Sequence, residues 1–343
     1  MDLTAALEWT PPADWHRLSV VESHTGGEPF RVVIDGLPAI PGNTVLERRR
    51  YAQTRLDHLR KAMMWEPRGH SDMYGGWPGP PTSPNSDISV LFVHNEGFST
   101  MCGHGIIALS KVALETGLLP ASEPETTLRI DTPAGLVVAT STLDHGQVSA
   151  TRFFNVPSFT VELDARVDVP GFGEIVYDLA FGGAFYAIVD AAQLGLSLEA
   201  APALVTAGRA VKQALVASGG IEHPLDPDLG FVYGVIFTEN GSVGSHSRNV
   251  CVFADGEVDR SPTGTGVSAR LAAMHTRGEI APDESLVVES IVGSQFKGRI
   301  AGITEVGGIT AIIPEIEGSA YLTGRAELWL DPNDTLGGGF LVR

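Results

Sequence analysis

Cysteine is nearly absent: Cys102 and Cys251 are the two in 343 residues. Two thiols far apart in the chain exclude a disulfide framework, so each has to be judged by its own surroundings. Positive charge is scarce too. Lys and Arg number 23 against 41 Asp and Glu, a formal net charge of −18, which argues against nucleic acid or an anionic membrane as a partner. The one basic run, Arg48-Arg49-Arg50, falls in a stretch with helical spacing and reads as a solvated helix face. Long apolar runs are missing, with nothing near the roughly 20 residues that a membrane span needs. Met1 to Ala13 carries Asp2, Glu8 and two prolines where a leader would carry a basic start and an apolar core. These absences point to a cytoplasmic protein. The apolar fraction of 43% is ordinary for a globular chain, and the length allows two domains with cores of their own.

What is present is a repeat. Met101-Cys102-Gly103-His104-Gly105 returns as Pro262-Thr263-Gly264-Thr265-Gly266. Each stretch opens a run of helical spacing, with Ile106, Leu109, Val112 and Ala113 in the first and Val267, Leu271, Ala272 and Met274 in the second. A constant offset aligns Gly103 with Gly264, Gly105 with Gly266, Ala108 with Ala269 and Gly117 with Gly278. Downstream, Leu128 to Gly135 resembles Leu286 to Gly293. The pattern predicts two related lobes whose helix N-termini aim their unpaired N–H groups at one point between them.

In chain order, Arg17–Glu22 and Phe30–Asp35 read as strands joined by a tight turn at Gly26-Gly27. A long helix follows from Thr44 to Met64, with Asn43 as its N-cap. Arg68 to Gly76 and the proline-rich Trp77 to Pro84 read as loop. Ile88–Val93 is a buried strand, and Leu128–Asp131, Leu136–Thr140 and Val148–Phe154 alternate like antiparallel strands. The second half repeats the theme with strands at Val176–Leu179 and Phe185–Val189 and a helix from Glu199 to Ala217 stopped by Ser218-Gly219-Gly220. Strands at Val232–Thr238 and Asn249–Phe253, the Thr263 helix and strands through Ile313 complete it. Residues 1–155 form the first lobe and 156–319 the second. The segment 320–343, with strands at Ala320–Leu330 and Phe340–Val342, has no counterpart before the boundary and is expected to cross back and complete the first lobe.

A thiol at a helix start feels the positive end of the helix dipole, which lowers its pKa, so Cys102 is expected to be a thiolate. The backbone N–H groups of Gly103, His104, Gly264 and Thr265 suit a carboxylate. Cys251, in a buried strand, reads as a small apolar residue. Three rival motifs are weaker. Both glycine stretches fit G-x-G-x-x-A, but neither follows directly on a strand as a dinucleotide site requires. Cys102 and His104 are not a common zinc pair and no second cysteine pair exists, so no metal is expected. A Cys-His hydrolase would leave the second helix start without a purpose.

Ser23-His24-Thr25-Gly26-Gly27-Glu28-Pro29, Glu66-Pro67-Arg68-Gly69-His70, Met101-Cys102-Gly103-His104, Asp131-Thr132-Pro133-Ala134-Gly135 and Asp255 to Pro262 stand in the order of the proline racemase superfamily, which the chain resembles over nearly its whole length. The resemblance implies an α/β (α+β) fold like that of diaminopimelate epimerase: two pseudo-symmetric lobes, each a curved, mainly antiparallel sheet around a central helix, with the site in the cleft and no cofactor. It implies a small imino acid as substrate and leaves a second copy of the chain as the one macromolecular partner. Racemases and epimerases of the superfamily set one cysteine on each face of the substrate α-carbon. Here Thr263 stands in place of the second cysteine, and a threonine hydroxyl is too weak an acid to become a useful base without activation. The Cys/Thr pairing resembles the trans-3-hydroxy-L-proline dehydratases. That implies Cys102 and Thr263 as catalytic positions, with Gly103, His104, Asp259, Gly264 and Thr265 binding substrate and Asp259 and His104 at the ring nitrogen. His70, Asp72 and Tyr74 read as lining the cleft without assignable chemistry.

Overall fold

The structure is a computed structural model that describes residues 3–219, 221–282 and 284–342. Met1, Asp2, the helix-stopping Gly220 and Arg343 at the end of the last segment lie outside the described residues. After a short helix α1 (Thr4–Glu8), strands β1 (His16–Thr25) and β2 (Glu28–Asp35) form a hairpin whose turn, Gly26-Gly27, has positive φ at both residues, as a tight hairpin turn demands. Helices α2 (Val45–Arg55) and α3 (Asp57–Met64) lead to strands β3 (Tyr74–Gly79), β4 (Ile88–His94) and β5 (Phe98–Ser99). Helix α4 (Gly103–Glu115) follows, then β6 (Glu125–Thr132), β7 (Gly135–Asp144) and β8 (Gln147–Phe154). The second half runs β9 (Ser158–Val169), β10 (Gly173–Phe181), β11 (Phe185–Asp190), α5 (Ala201–Ser218), β12 (Val232–Asn240), β13 (Ser247–Phe253), β14 (Glu257–Val258) and α6 (Gly264–Arg277). It ends with β15 (Ser285–Ser290), β16 (Gln295–Val306), β17 (Ile309–Gly318) and β18 (Ala320–Leu330).

The two halves use the same pairings. β2 pairs parallel with β3, and β11 parallel with β12. β4 pairs parallel with β6, and β13 parallel with β15. Among the described residues the other strand pairs are antiparallel, and β8 meets β17 at the seam between the halves. Each half wraps one helix. Every residue of α4 from Gly103 to Leu114 is buried, which suits a helix apolar on nearly all sides. Its one cation, Lys111, is held by Glu115 at 2.7 Å and the Val148 carbonyl at 2.6 Å. Helix α6 is buried from Gly264 to Ala273.

Several sequence expectations need correction. The long helix is two helices broken at Leu56, and its N-cap is Thr44 rather than Asn43: the Thr44 hydroxyl accepts the Glu47 N–H while the Glu47 carboxylate accepts the Thr44 N–H. Arg48-Arg49-Arg50 is no solvated face. Arg49 is buried and donates twice to the Phe98 carbonyl, and Arg50 reaches Asp228 in the other half. The supposed loop around Tyr74 to Gly79 is strand β3, whose Gly75-Gly76 composition hides it. A side chain at Gly76 would meet the Phe30 ring at 2.8 Å, so glycine here allows close packing under the neighbouring strand. Phe340 makes only an isolated bridge to Glu66.

The final segment finds its counterpart just past the boundary between the halves, in β9. β18 pairs antiparallel with β1, and β9 pairs antiparallel with β10. β18 follows the second repeat yet joins the first half's sheet. β9 follows the first repeat and joins the second's. Each repeat gives its last strand to the other.

Candidate active site

The N-termini of α4 and α6 abut. A Cβ on Gly103 would lie 2.7 Å from the Gly264 Cα, and one on Gly264 would lie 2.9 Å from the Gly103 Cα. Only glycine on both sides permits this contact, and it brings the two sets of unpaired helix-start N–H groups to one place. The residues picked out in the sequence converge there. Cys102, Gly103, His104, Asp259, Thr263, Gly264 and Thr265 all line one small, closely packed cavity. A wider groove of about 990 Å³ along Val33 to Ile40 and Trp77 to Pro80 holds neither a thiol nor an imidazole, so the chemistry lies in the smaller space.

Cys102 is the N-cap of α4. Its sulfur accepts the Gly105 N–H at 3.2 Å and lies 3.3 Å from His104 Nδ1. Burial pushes the thiol well above its ordinary pKa. The Gly105 N–H pulls the other way, and the carboxylates of Asp259 and Glu28 add to the rise. The expectation of a thiolate set by the helix dipole is therefore corrected. The local field is there, but desolvation and two nearby carboxylates outweigh it. Burial also holds His104 at about 3, so its imidazole is neutral, with a bond to the Pro29 carbonyl as a weaker opposing influence. The Thr25 hydroxyl anchors the His104 carbonyl at 2.9 Å.

Thr263 caps α6 with a backbone φ of 64°, in the left-handed region. Its hydroxyl is close enough to Asp259 to ease that group's ionisation, yet makes no hydrogen bond of full geometry among the described residues. Asp259 takes the Ser261 N–H at 2.7 Å, and burial pushes its carboxyl up to about 6. Between its unfolded value of 3.8 and about 6 the folded protein keeps a proton that the unfolded chain has lost. Stability linked to this group is therefore complete at low pH and falls as pH rises through about 6. The difference between 3.8 and about 6 corresponds to about 3 kcal/mol at pH 7. Asp259→Asn, which retains the acceptor for Ser261, is expected to raise the melting temperature at pH 7 and to gain little near pH 4. Equal gains at both pH values, in thermal melts, would show that ionisation of Asp259 is not the cause.

The sequence reading missed part of the wall. Tyr186, Tyr233, Cys251 and Phe253 also line the cavity, and Tyr74 does so with chemistry of its own. The Tyr74 hydroxyl lies 2.5 Å from Ser99 Oγ and 3.0 Å from the Tyr233 hydroxyl, and the Tyr186 hydroxyl lies 2.6 Å from Thr265 Oγ1. Tyr74-Gly75 and Tyr233-Gly234 open the equivalent strands β3 and β12, a short repeat that was there to be read. Cys251 is buried as expected, but alternation puts it on the same face of β13 as Asn249 and Phe253, toward the cavity. Glu28, wholly buried, accepts the Arg260 N–H at 2.7 Å, and Asp72 pairs with the Arg260 guanidinium at 2.8 Å. These contacts tie the halves together beside Asp259.

With that geometry the relatives can be stated. The sequence profile described as proline racemase matches residues 20–341. This chain belongs to the proline racemase family. It is 48% identical over 329 residues to a trans-3-hydroxy-L-proline dehydratase of Burkholderia cenocepacia, covering 95% of this chain and 98% of that one. It is equally similar, at 48% over the same coverage, to a 3-hydroxyproline 2-epimerase of Burkholderia multivorans. The crystal structure of a hydroxyproline epimerase from Agrobacterium vitis, with bound trans-4-OH-L-proline, superposes with a TM-score of 0.92 at 35% identity, covering 96% of each chain. The mixed α/β fold is thus that of the proline racemase family. Its members named here differ in the reaction that they are named for. Among the described residues, no helix is long and apolar enough to cross a membrane.

Proposed function

We propose that this member of the proline racemase family dehydrates trans-3-hydroxy-L-proline to Δ1-pyrroline-2-carboxylate without a cofactor, in a cleft between a first lobe (1–155 with 320–343) and a second (156–319). The observation that carries the reading is the asymmetry of the two helix caps: a thiol at Cys102 from one half and a hydroxyl at Thr263 from the other, both lining one cavity.

The substrate carboxylate is held by the N–H groups of Gly103, His104, Gly264 and Thr265, which also stabilise the enolate-like charge that develops as the α-proton leaves. Asp259 and the neutral His104 meet the ring nitrogen. An ammonium beside Asp259 offsets the carboxylate charge that opposes ionisation of Cys102, so binding itself favours the thiolate. A buried thiolate is a stronger base than a solvated one, which suits a weakly acidic α-hydrogen. In trans-3-hydroxy-L-proline the hydroxyl is trans to the carboxylate and therefore shares a ring face with the α-hydrogen. Proton removal and hydroxyl departure both take place on the Cys102 face. No acid is needed on the far face, where Thr263 stands.

The second reading is a 2-epimerase, favoured by Cys251. Its thiol lines the cavity on Thr263's side, and Thr263 is near enough to ease its ionisation. Proton NMR in D2O separates the two, using trans-3-hydroxy-L-proline, trans-4-hydroxy-L-proline and L-proline in separate samples. Loss of the 3-hydroxy substrate with Δ1-pyrroline-2-carboxylate appearing, and no epimer of the others, is the expected result. Epimers with deuterium at Cα would replace the dehydratase by the epimerase. Thr263→Cys sets a second thiol at the far cap and is expected to introduce epimerisation absent from the parent protein, measurable in the same spectra.

A further inference from the structure

The departing hydroxyl needs a proton, and because it leaves on the Cys102 face its acid stands on that side of the cavity. From the half that supplies Cys102, three cavity-lining side chains carry an exchangeable proton: Cys102, His104 and Tyr74. His104 is neutral down to about pH 3 and has a bond to the Pro29 carbonyl, so it holds no ready acidic proton at neutral pH. Cys102 takes the α-proton in the same turnover, and one sulfur would have to finish as base at Cα before acting as acid at the C3 oxygen. Tyr74 has neither defect. Its ring packs edge-on against His104, with centroids 4.8 Å apart, and its hydroxyl is hydrogen-bonded to both Ser99 and Tyr233. Tyr74 and Tyr233 occupy equivalent places in the two repeats, so their hydroxyls meet across the pseudo-two-fold, but only Tyr74 belongs to the half that carries the thiol.

We propose that Tyr74 is the acid that protonates the leaving hydroxyl, with Ser99 and Tyr233 steadying its oxygen through the step. The assignment rests on the dehydratase reading above. The Cys102 thiolate takes the α-proton and becomes a thiol, and the pair of electrons of the Cα–H bond stays with the carboxylate-stabilised carbon. That pair forms the Cα=C3 bond as the C3–O bond breaks with its electrons going to oxygen. The Tyr74 O–H gives its proton to that oxygen, releasing water. The tyrosinate then takes the proton from the Cys102 thiol, which returns both groups to their starting forms. The enamine gains a proton at C3 from solvent and loses one from nitrogen, giving the cyclic imine, so no oxidant or reductant is involved. Burial raises Tyr74 well above its ordinary pKa, which keeps it protonated before each turnover, and its hydroxyl is close enough to Cys102 to favour the thiolate.

The test compares Tyr74→Phe with the parent protein on trans-3-hydroxy-L-proline and on trans-3-fluoro-L-proline, whose fluoride departs as an anion with far less need of an acid. The expected result is a fall in kcat of about 10²-fold or more on the hydroxy substrate, with fluoride release within a few-fold of the parent. Equal losses on both substrates would make Tyr74 a merely structural residue, and no loss on either would remove it from the reaction. Ser99→Ala, which strips one bond from the Tyr74 oxygen and leaves the ring in place, is expected to show the same selectivity in weaker form. Failure of the underlying reading looks different: the parent protein would then release no pyrroline product from the hydroxy substrate, whatever Tyr74 does.

Discussion

Cys102→Ala is expected to eliminate turnover of trans-3-hydroxy-L-proline, with kcat at least about 10²–10⁴-fold below the parent, the usual contribution of a positioned base. The reason is positional. In the proposed pose the cap sulfur of α4 is the thiol that meets the α-hydrogen, while Cys251 lies beside Thr263 in the other half. Neither neighbour replaces it. His104 is neutral, but buried imidazole held at about 3 is too weak a base for a carbon acid. The Tyr74 hydroxyl is pushed up and stays protonated. The variant should still fold, because a poor cap is lost and an alanine fits where a cysteine was. Isothermal titration with L-proline checks that the cleft still binds, and the same NMR assay checks turnover. Parent-like rates in Cys102→Ala would remove the thiol from the mechanism.

Gly103→Ala is the second large effect expected. The added methyl carbon meets the Gly264 Cα at 2.7 Å, and the atoms in its way are backbone, with no flexible side chain to yield. The starts of α4 and α6 must move apart, and the N–H groups proposed to share the substrate carboxylate stop converging. Displacements on the order of 1 Å at such a site cost about 10²-fold, so kcat/KM should fall at least that much while the far-UV circular dichroism changes little. Gly264→Ala, its mirror image, should match it. An alanine at position 103 that left KM and kcat intact would mean that the two helix starts do not hold one anion together.

The parts of the site legible in the sequence were those written in local chemistry. Glycines flanking Cys102 and Thr263, followed by apolar residues at helical spacing, marked two helix starts without any knowledge of what faced them. The two-lobed organisation followed from the repetition of that pattern, and the fold from the resemblance to the proline racemase superfamily. What stayed hidden depended on neighbours distant in the chain. β3 reads as loop because Gly75, Gly76 and Pro78 are poor strand formers in isolation, yet β4 pairs with it along its length. Missing that strand left Tyr74 in the cleft wall without a partner or a role. β9 and β18 were not recognised as equivalents because each lies after the repeat it belongs to and pairs with the other. The basicity of Cys102 was misjudged for a related reason: a helix dipole is visible in a pentapeptide, whereas burial among Asp259 and Glu28 is a property of the assembled cleft.

The exchanged strands make each half depend on the other. A single repeat of this order, standing alone, lacks the strand that flanks its own hairpin and carries one that has nothing to pair with. The fold is therefore clasped from both ends: neither half has a complete sheet until the chain has passed through the other, and the seam where β8 meets β17 joins two units that cannot be separated without opening an edge in each.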